Sequence, residues 1–502
     1  MPTNLRPPTA ELAFPSRLTP EALEIAAGPV TVRLDDDSRA AVARCHDYLH
    51  LCIDKGREIY GTTTGFGPLV VFAGQDEGAD QCENVLSHLE VGQGPDLEPP
   101  VARATLLTRL WSLARGHSGV APGAVDALVA MLGTSFAPVM PEYGSVGASG
   151  DLAPLAHAIR SLQGRGDAYL GAMRMPAAEA LAAAGLRPLE LTGRDALGLV
   201  NGTSVTAAGA GLALAALHRS VAAGTALTAL LAGVLGCRPD FTAPEIFEAL
   251  GHDDTAHRAA DLRTRLAGHE PSGTRALQEP YTLRCAPHIL GAAASSLRHA
   301  RQVVTDDLNG ISDNPLFFPE RDVVAHGGNF FGQQVAFAAD LMSITAAQLA
   351  NLAERQLDLL IDTRRNGDLN PMLAEDPGRD HGVQGVQLAA TSLVVAMRRA
   401  ATPASMQSIP TNWHNQDIVP FGIQAAFTAL RQARTLRLLH GSLAVALCQA
   451  VRVGARRPTA DAGASLLDAL EPAVAPDKPW AVSVREAADV LDRTCGPEDR
   501  TG

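Results

Sequence analysis

The stretch Gly144-Ser145-Val146-Gly147-Ala148-Ser149-Gly150-Asp151 sets Ala148, Ser149 and Gly150 among further small residues, directly before the apolar run "LAPLAH". With so little side-chain bulk, the amide nitrogen of Gly150 can swing back onto the carbonyl carbon of Ala148 and close a five-membered ring that larger neighbours would block. If the ring oxygen and the Ser149 hydroxyl then leave as water, an exocyclic methylidene conjugated to an imidazolone remains, an electrophile made from the chain itself. The plainer alternative is a glycine-rich turn in which Ser149 or Asp151 caps a helix start. On this motif alone both readings stand.

Other chemistry-bearing patterns are sparse. The sequence holds no GxxxxGK[ST], no GxGxxG after a strand, no HExxH and no GxSxG, which removes support for a phosphate cradle, a dinucleotide fold, a zincin site or a nucleophile elbow. His252 and His257 are five apart, a spacing that does not put two ligands on one helical face, and they read as surface histidines. No metal site is expected.

The elements that must position Ala148-Ser149-Gly150 are helical. Apolar residues recur at three and four along 102–116, 124–136, 336–365 and 423–455, the last two far longer than an average globular helix. Strand patterns are scarce, with a small hairpin expected near 167–175. The run Ser220–Cys237, "SVAAGTALTALLAGVLGC", approaches membrane length. Its Ala, Gly and Thr content and its lack of an aromatic belt read instead as a buried central helix that neighbours approach closely. The fold class is mainly α, around long packed helices.

Length alone would suggest roughly three domains. Yet the breaks at the N-terminal tail, 270–281 and 475–480 are too short to serve as linkers between independent domains. The chain reads as an N-terminal helical part (1–195) with a loop at 60–67 and the loop around Ser149, a central long-helix part (196–410) and a C-terminal helical part (411–502), forming one cooperative catalytic unit. A net charge of -13 argues against nucleic acid or an anionic membrane as partner and favours a small molecule. Seven scattered cysteines without a CxxC pair, after an N-terminal stretch lacking signal-peptide order, point to reduced thiols and the cytoplasm.

Taken with its context, "GSVGASGDLAPLAH" resembles the signature of the histidine and aromatic amino acid ammonia-lyases and aminomutases. Further segments match in order: "YGTTTGFG" (60–67), "RGHSG" (115–119), "LVNGTSVTAAG" (199–209), "QEPYTLRCAPHILG" (278–291), "DNPLF" (313–317), "GGNFFGQQVAFAAD" (327–340) and "SIPTNWHNQDIVPFG" (408–422). The resemblance covers nearly the whole chain. It implies the helix-bundle fold of the fumarase/aspartase-like type and a 4-methylideneimidazole-5-one prosthetic group formed from Ala148-Ser149-Gly150, with no metal or dissociable cofactor. It also implies a homotetramer whose active sites are shared between chains. The electrophile would take the substrate's amine and make it a better leaving group.

By the same resemblance Tyr60 is the base for the β-proton, on a loop that Gly61 and Gly65 would let open and close, and Tyr281 is a further catalytic position. Arg284 matches the clamp for the substrate carboxylate, a task suited to a planar guanidinium. Asn201 and Gln278 match positions around the prosthetic group and the substrate's amino end; Phe330 matches an aromatic wall; Asn314 and Gln416 complete the set.

In the family a residue pair within "NVLSHLEVGQG" (84–94) faces the substrate ring, and counting from Asn84 and Gly92 places His88-Leu89 there, the pair found in tyrosine-specific members. A histidine can hydrogen-bond a para-hydroxyl, and a site built around that bond penalises substrates lacking it. Gln416 stands where histidine-specific members carry a glutamate. L-tyrosine, giving trans-4-coumarate and ammonia, is therefore the expected substrate. A tyrosine or phenylalanine 2,3-aminomutase shares nearly all of these motifs, phenylalanine and histidine ammonia-lyase are further alternatives, and Trp413 and Pro420-Phe421 depart from the family's patterns. A non-catalytic helical binding protein would keep its Ala148-Ser149-Gly150 unmodified, a difference of two waters in intact mass.

Overall fold

Helix Pro99–Leu113 shows how this chain buries charge. Every residue from Val101 to Leu113 is buried, two arginines included. Arg103 donates to four backbone carbonyls, those of Ala26, Gly28, Leu132 and Phe136, at 2.6–2.8 Å. Burial lowers its pKa to about 10, which leaves it charged at neutral pH, so the carbonyl dipoles take the place of a counter-ion.

The computed structural model describes residues 10–496. The backbone forms two compact units. The first comprises the described part of Met1–Leu212 with Arg301–Asp340 and Pro403–Phe427; the second comprises Ala213–Ala300, Leu341–Thr402 and the described part of Thr428–Gly502. The elements that matter below are α1 (Gly78–Leu89), α2 (Leu152–Leu162), α3 (Ser204–Leu235), α4 (Ala286–Leu308), α5 (Gln333–Ile361) and α6 (Gly422–Arg452).

The mainly helical class and the long helices follow the sequence pattern. The periodic segments at 102–116, 124–136, 336–365 and 423–455 correspond to Pro99–Leu113, Pro122–Leu132, α5 and α6. The apolar run at Ser220 is the second half of α3, which begins sixteen residues earlier at Ser204. α3 and α5 are both long and apolar enough to cross a membrane, but their most apolar windows are 78% and 72% buried within the protein. Within the second unit the four long helices meet around Gly224 of α3: a Cβ there would stand 3.4 Å from Leu290 of α4 and 3.5 Å from His440 of α6. Gln356 of α5 donates to Thr228 of α3 at 2.8 Å. His440 is fully buried, and burial pushes its pKa down to about 4, so it packs as a neutral ring.

Strands are short and lie in the first unit. The expected hairpin forms from Asp167–Leu170 and Met173–Pro176, with Phe136–Pro138 added on its other side. A parallel pair, Ala10–Phe14 with Val30–Leu34, lies in a stretch whose sequence reads as a proline-rich break. In Ala10–Phe14 only Phe14 is buried, so no alternation announces the strand.

Candidate active site

The loop before α2 is folded tightly on itself. Gly147 and Gly150 hold left-handed backbone at φ 76° and 75°. A Cβ on Gly150 would sit 2.4 Å from the carbonyl oxygen of Gly202, so only glycine can pass there. The Ser145 hydroxyl donates to the Gly150 carbonyl at 3.0 Å and accepts from the Gly147 amide at 3.1 Å. The Asp151 amide donates to the Gly202 carbonyl at 2.8 Å. Asp151 occupies the N-cap position of α2, but neither its side chain nor that of Ser149 makes a capping hydrogen bond to the helix. The Asp151 carboxylate accepts from the Thr206 amide and hydroxyl, both at 2.8 Å, and so serves the first turn of α3. The Ser149 hydroxyl oxygen accepts from Gln416 Nε2 at 3.1 Å, and Gln416 is held by the Thr411 hydroxyl at 2.6 Å.

Ser149 opens onto a cavity of about 300 Å3 that Tyr60, Ala148, Asn201, Asn314, Phe330 and Gln416 also line. Seven of the residues singled out from the sequence thus meet within the first unit. Phe331, Asn415, Asp417 and Ile418 line it as well. Their only sequence signal was adjacency to Phe330 and Gln416 in the same motifs. The Asn201 side-chain oxygen is buried without a hydrogen-bond partner among the described residues, a spare acceptor in the cavity wall. Tyr60 receives the Gly67 amide on its hydroxyl oxygen at 2.9 Å. Its own amide donates to His326 Nε2 at 3.2 Å. Gly61 sits at φ 67°, and a Cβ there would lie 2.4 Å from Leu197, so close packing alone requires glycine at this point of the Tyr60 loop.

Beneath Asn314 lies a charged core that the sequence did not reveal. Arg194 grips Asp313 through two hydrogen bonds of 2.9 Å, with both side chains wholly buried. Arg109 stands 3.8 Å from the same carboxylate and donates to the Ser312 carbonyl at 2.7 Å. Asp313 also accepts from the Asn314 amide at 2.7 Å, and the Asn314 side-chain oxygen accepts from Gly327 at 2.8 Å. The fork geometry of Arg194 fixes the carboxylate and with it the backbone that presents Asn314 to the cavity.

The remaining candidates lie elsewhere. His88 and Leu89 close α1. His88 is exposed and stacks on Phe66, ring centroids 5.7 Å apart, and Phe66 meets Tyr60 edge-on at 6.5 Å. Leu89 is buried, and neither residue lines the cavity. Gln278, Tyr281 and Arg284 belong to the second unit and border a separate cavity of about 650 Å3. There Arg284 donates to the Gln278 side chain at 2.9 Å and lies 4.7 Å from the Tyr281 ring centroid.

The family model for aromatic amino acid lyases matches residues 18–472. The chain belongs to this family. A tyrosine ammonia-lyase of Cereibacter sphaeroides is 39% identical over 86% of the chain and 87% of its own length. A histidine ammonia-lyase of Symbiobacterium thermophilum is 35% identical over 94% of both. Among solved structures, a tyrosine aminomutase of Streptomyces globisporus superposes with a TM-score of 0.87 at 31% identity, covering 95% of each chain. As a member of the aromatic amino acid lyases the protein is a carbon–nitrogen lyase or the related aminomutase, with an aromatic amino acid as substrate. The segments that resembled the family in the sequence all fall within the matched span.

Proposed function

We propose that this member of the family eliminates ammonia from L-tyrosine to give trans-4-coumarate, and that Ala148-Ser149-Gly150 cyclises to 4-methylideneimidazole-5-one. The observation that carries this reading is that Ser149 and Tyr60 line one cavity, beside a backbone turn with no room for a side chain at Gly150. The residues suit the group: Gly150 has the freedom that ring closure needs, Ser149 lines the cavity, and Asn201 offers an unused acceptor in the same wall. When formed, the group supplies an electrophile that turns the amine into a better leaving group.

The protein's own side chains do the rest. Tyr60 takes the β-proton at its hydroxyl oxygen, the atom on which the Gly67 amide is trained. Phe330 presents a flat apolar wall to the substrate, and Gln416 holds the loop 411–416 against Ser149. Arg284 binds the carboxylate through parallel donors, with Gln278 and Tyr281 beside it. Because these three border a different cavity from Ser149, the reading includes assembly into a homotetramer in which one chain completes another's site. A fully active monomer by light scattering would refute that part.

The tyrosine preference is supported by His88-Leu89 at the end of α1 and by Gln416. The test is to incubate the protein separately with L-tyrosine, L-phenylalanine and L-histidine and identify products by mass and chromatography. Coumarate should form fastest, and urocanate ahead of it would overturn the substrate assignment. The likeness to a tyrosine aminomutase favours one second reading, ammonia returned to the β-carbon. Accumulation of β-tyrosine ahead of coumarate would establish it in place of the lyase.

A further inference from the structure

α2 begins directly after Gly150-Asp151, and α1 ends in His88-Leu89, so whatever ties these helices fixes the distance between the two functional segments. The tie is unusually specific. Arg160, in the last turn of α2, is 3% exposed, although its partners lie toward solvent. Its fork meets Glu83 of α1 through two hydrogen bonds of 2.7 and 2.8 Å. Its Nε donates to Glu90, the residue after Leu89, at 3.2 Å. One turn back along α2, His157 Nε2 accepts from the Gly92 amide at 3.1 Å. The segment 83–92 is therefore pinned to α2 on both sides of His88-Leu89.

The chemistry of the pin matters. Arg160 grips Glu83 through two parallel donors while its Nε reaches Glu90, a fixed fork geometry that an ammonium does not reproduce. The Arg160 hydrogen bonds hold the Glu83 carboxyl down at about 2, so the contact stays ionic throughout the neutral range. Arg165 adds a further contact to Glu83 at 2.9 Å. Past the pin, the His88 ring stacks on Phe66, which meets Tyr60 edge-on. A shift of α1 would move His88 relative to both Ser149 and the Tyr60 loop.

We propose that Arg160 is a positioning residue for substrate selection: by holding Glu83 and Glu90 it sets where His88-Leu89 stands relative to Ser149, and so how well the enzyme separates L-tyrosine from L-phenylalanine. This rests on the reading of His88-Leu89 as the ring-facing pair. Arg160 itself touches no substrate.

The test compares full-length wild type with Arg160→Gln, Arg160→Lys, Glu90→Gln and His88→Phe. For each, kcat and KM are measured on L-tyrosine and on L-phenylalanine, with intact mass to verify loss of two waters. Arg160→Gln should keep that mass loss and lower the tyrosine-to-phenylalanine ratio of kcat/KM about tenfold, chiefly by raising KM for tyrosine. Arg160→Lys should recover part of the ratio by engaging one carboxylate. A processed Arg160→Gln enzyme with an unchanged ratio overturns the proposal, and so does an equal fall on both substrates, which marks a merely structural role. Should Arg160→Gln fail to fold, Glu90→Gln decides, because Glu90 is 39% exposed and its loss is tolerable; its ratio should fall, and an unchanged one overturns the proposal. If His88→Phe leaves the ratio unchanged, the ring-facing assignment itself fails. If His88→Phe shifts the ratio and Arg160→Gln does not, only the positioning role fails.

Discussion

Replacing Asp151 by asparagine should remove a weakness that grows with pH. The Asp151 carboxyl is fully buried, and burial pushes its pKa up from 3.8 to about 7 against the two hydrogen bonds from Thr206. Asp307 is raised to about 6 by its own burial, and its charge adds to the effect on Asp151. A carboxyl with a raised folded pKa favours the native state in its protonated form. That contribution is fully present below 3.8 and is lost as pH climbs through about 7. At ~1.36 kcal/mol per pH unit, the interval from 3.8 to about 7 amounts to roughly 4 kcal/mol. Asparagine keeps the shape: its oxygen accepts the Thr206 amide, its NH2 donates to the Thr206 hydroxyl, and it does not titrate. Unfolding entropy of ~2.1 cal/mol/K per residue over the 502 residues gives ~1 kcal/mol per degree, so the Tm of Asp151→Asn relative to wild type should rise by about 4 °C between about pH 4 and about pH 8. Thermal melts in buffers of matched ionic strength measure it. A Tm difference that is flat across this range refutes the claim that burial raises the Asp151 pKa.

Three further outcomes follow from the proposed site. Ser149→Ala should fold, show no loss of two waters in intact mass and lose activity by orders of magnitude; a normal rate would remove the self-made electrophile from the reaction. Tyr60→Phe should retain the mass loss and the near-ultraviolet absorbance of the prosthetic group while turnover falls by ~10²–10⁴, and turnover at the wild-type rate would place the base elsewhere. Arg284→Lys should lower kcat/KM on the preferred substrate by about tenfold or more, since a point charge replaces a two-donor grip; unchanged constants would take Arg284 out of the carboxylate site.

How far the sequence reached depends on what each residue's neighbours are. α5 and α6 show themselves because one face is polar, which gives a helical period to read. α3 is mostly buried, so its first half carries no such contrast and only the uncharged run from Ser220 stands out. The strand Ala10–Phe14 depends on a partner twenty residues on, and its own pattern buries one side chain. Charged residues were the least legible. Arg160 sits among apolar residues in "LAPLAHAIRSL", and its partner Glu83 lies 77 positions away. Arg194 and Asp313 are separated by 119. No local rule distinguishes these from surface charges, because what decides is a counter-ion or carbonyl supplied by distant chain.

The residues that line the Ser149 cavity, in contrast, fall in short motifs, and the glycines of those motifs show why a motif underdetermines its cause. Gly61 invites the reading of a mobile loop, but the structure gives a sufficient steric reason: left-handed backbone pressed against Leu197 and Phe66. Gly150 carries two independent demands. Packing against Gly202 forbids a Cβ whether or not any chemistry occurs, and the proposed closure onto Ala148 needs an unhindered amide at the same atom. The two demands separate at Ser149, whose side chain has room in the cavity and a hydrogen bond from Gln416 but no capping duty toward α2. Ser149 lines the cavity without packing against Gly202, and that is why Ser149→Ala, rather than any substitution of the neighbouring glycines, is the change that tests chemistry apart from fold.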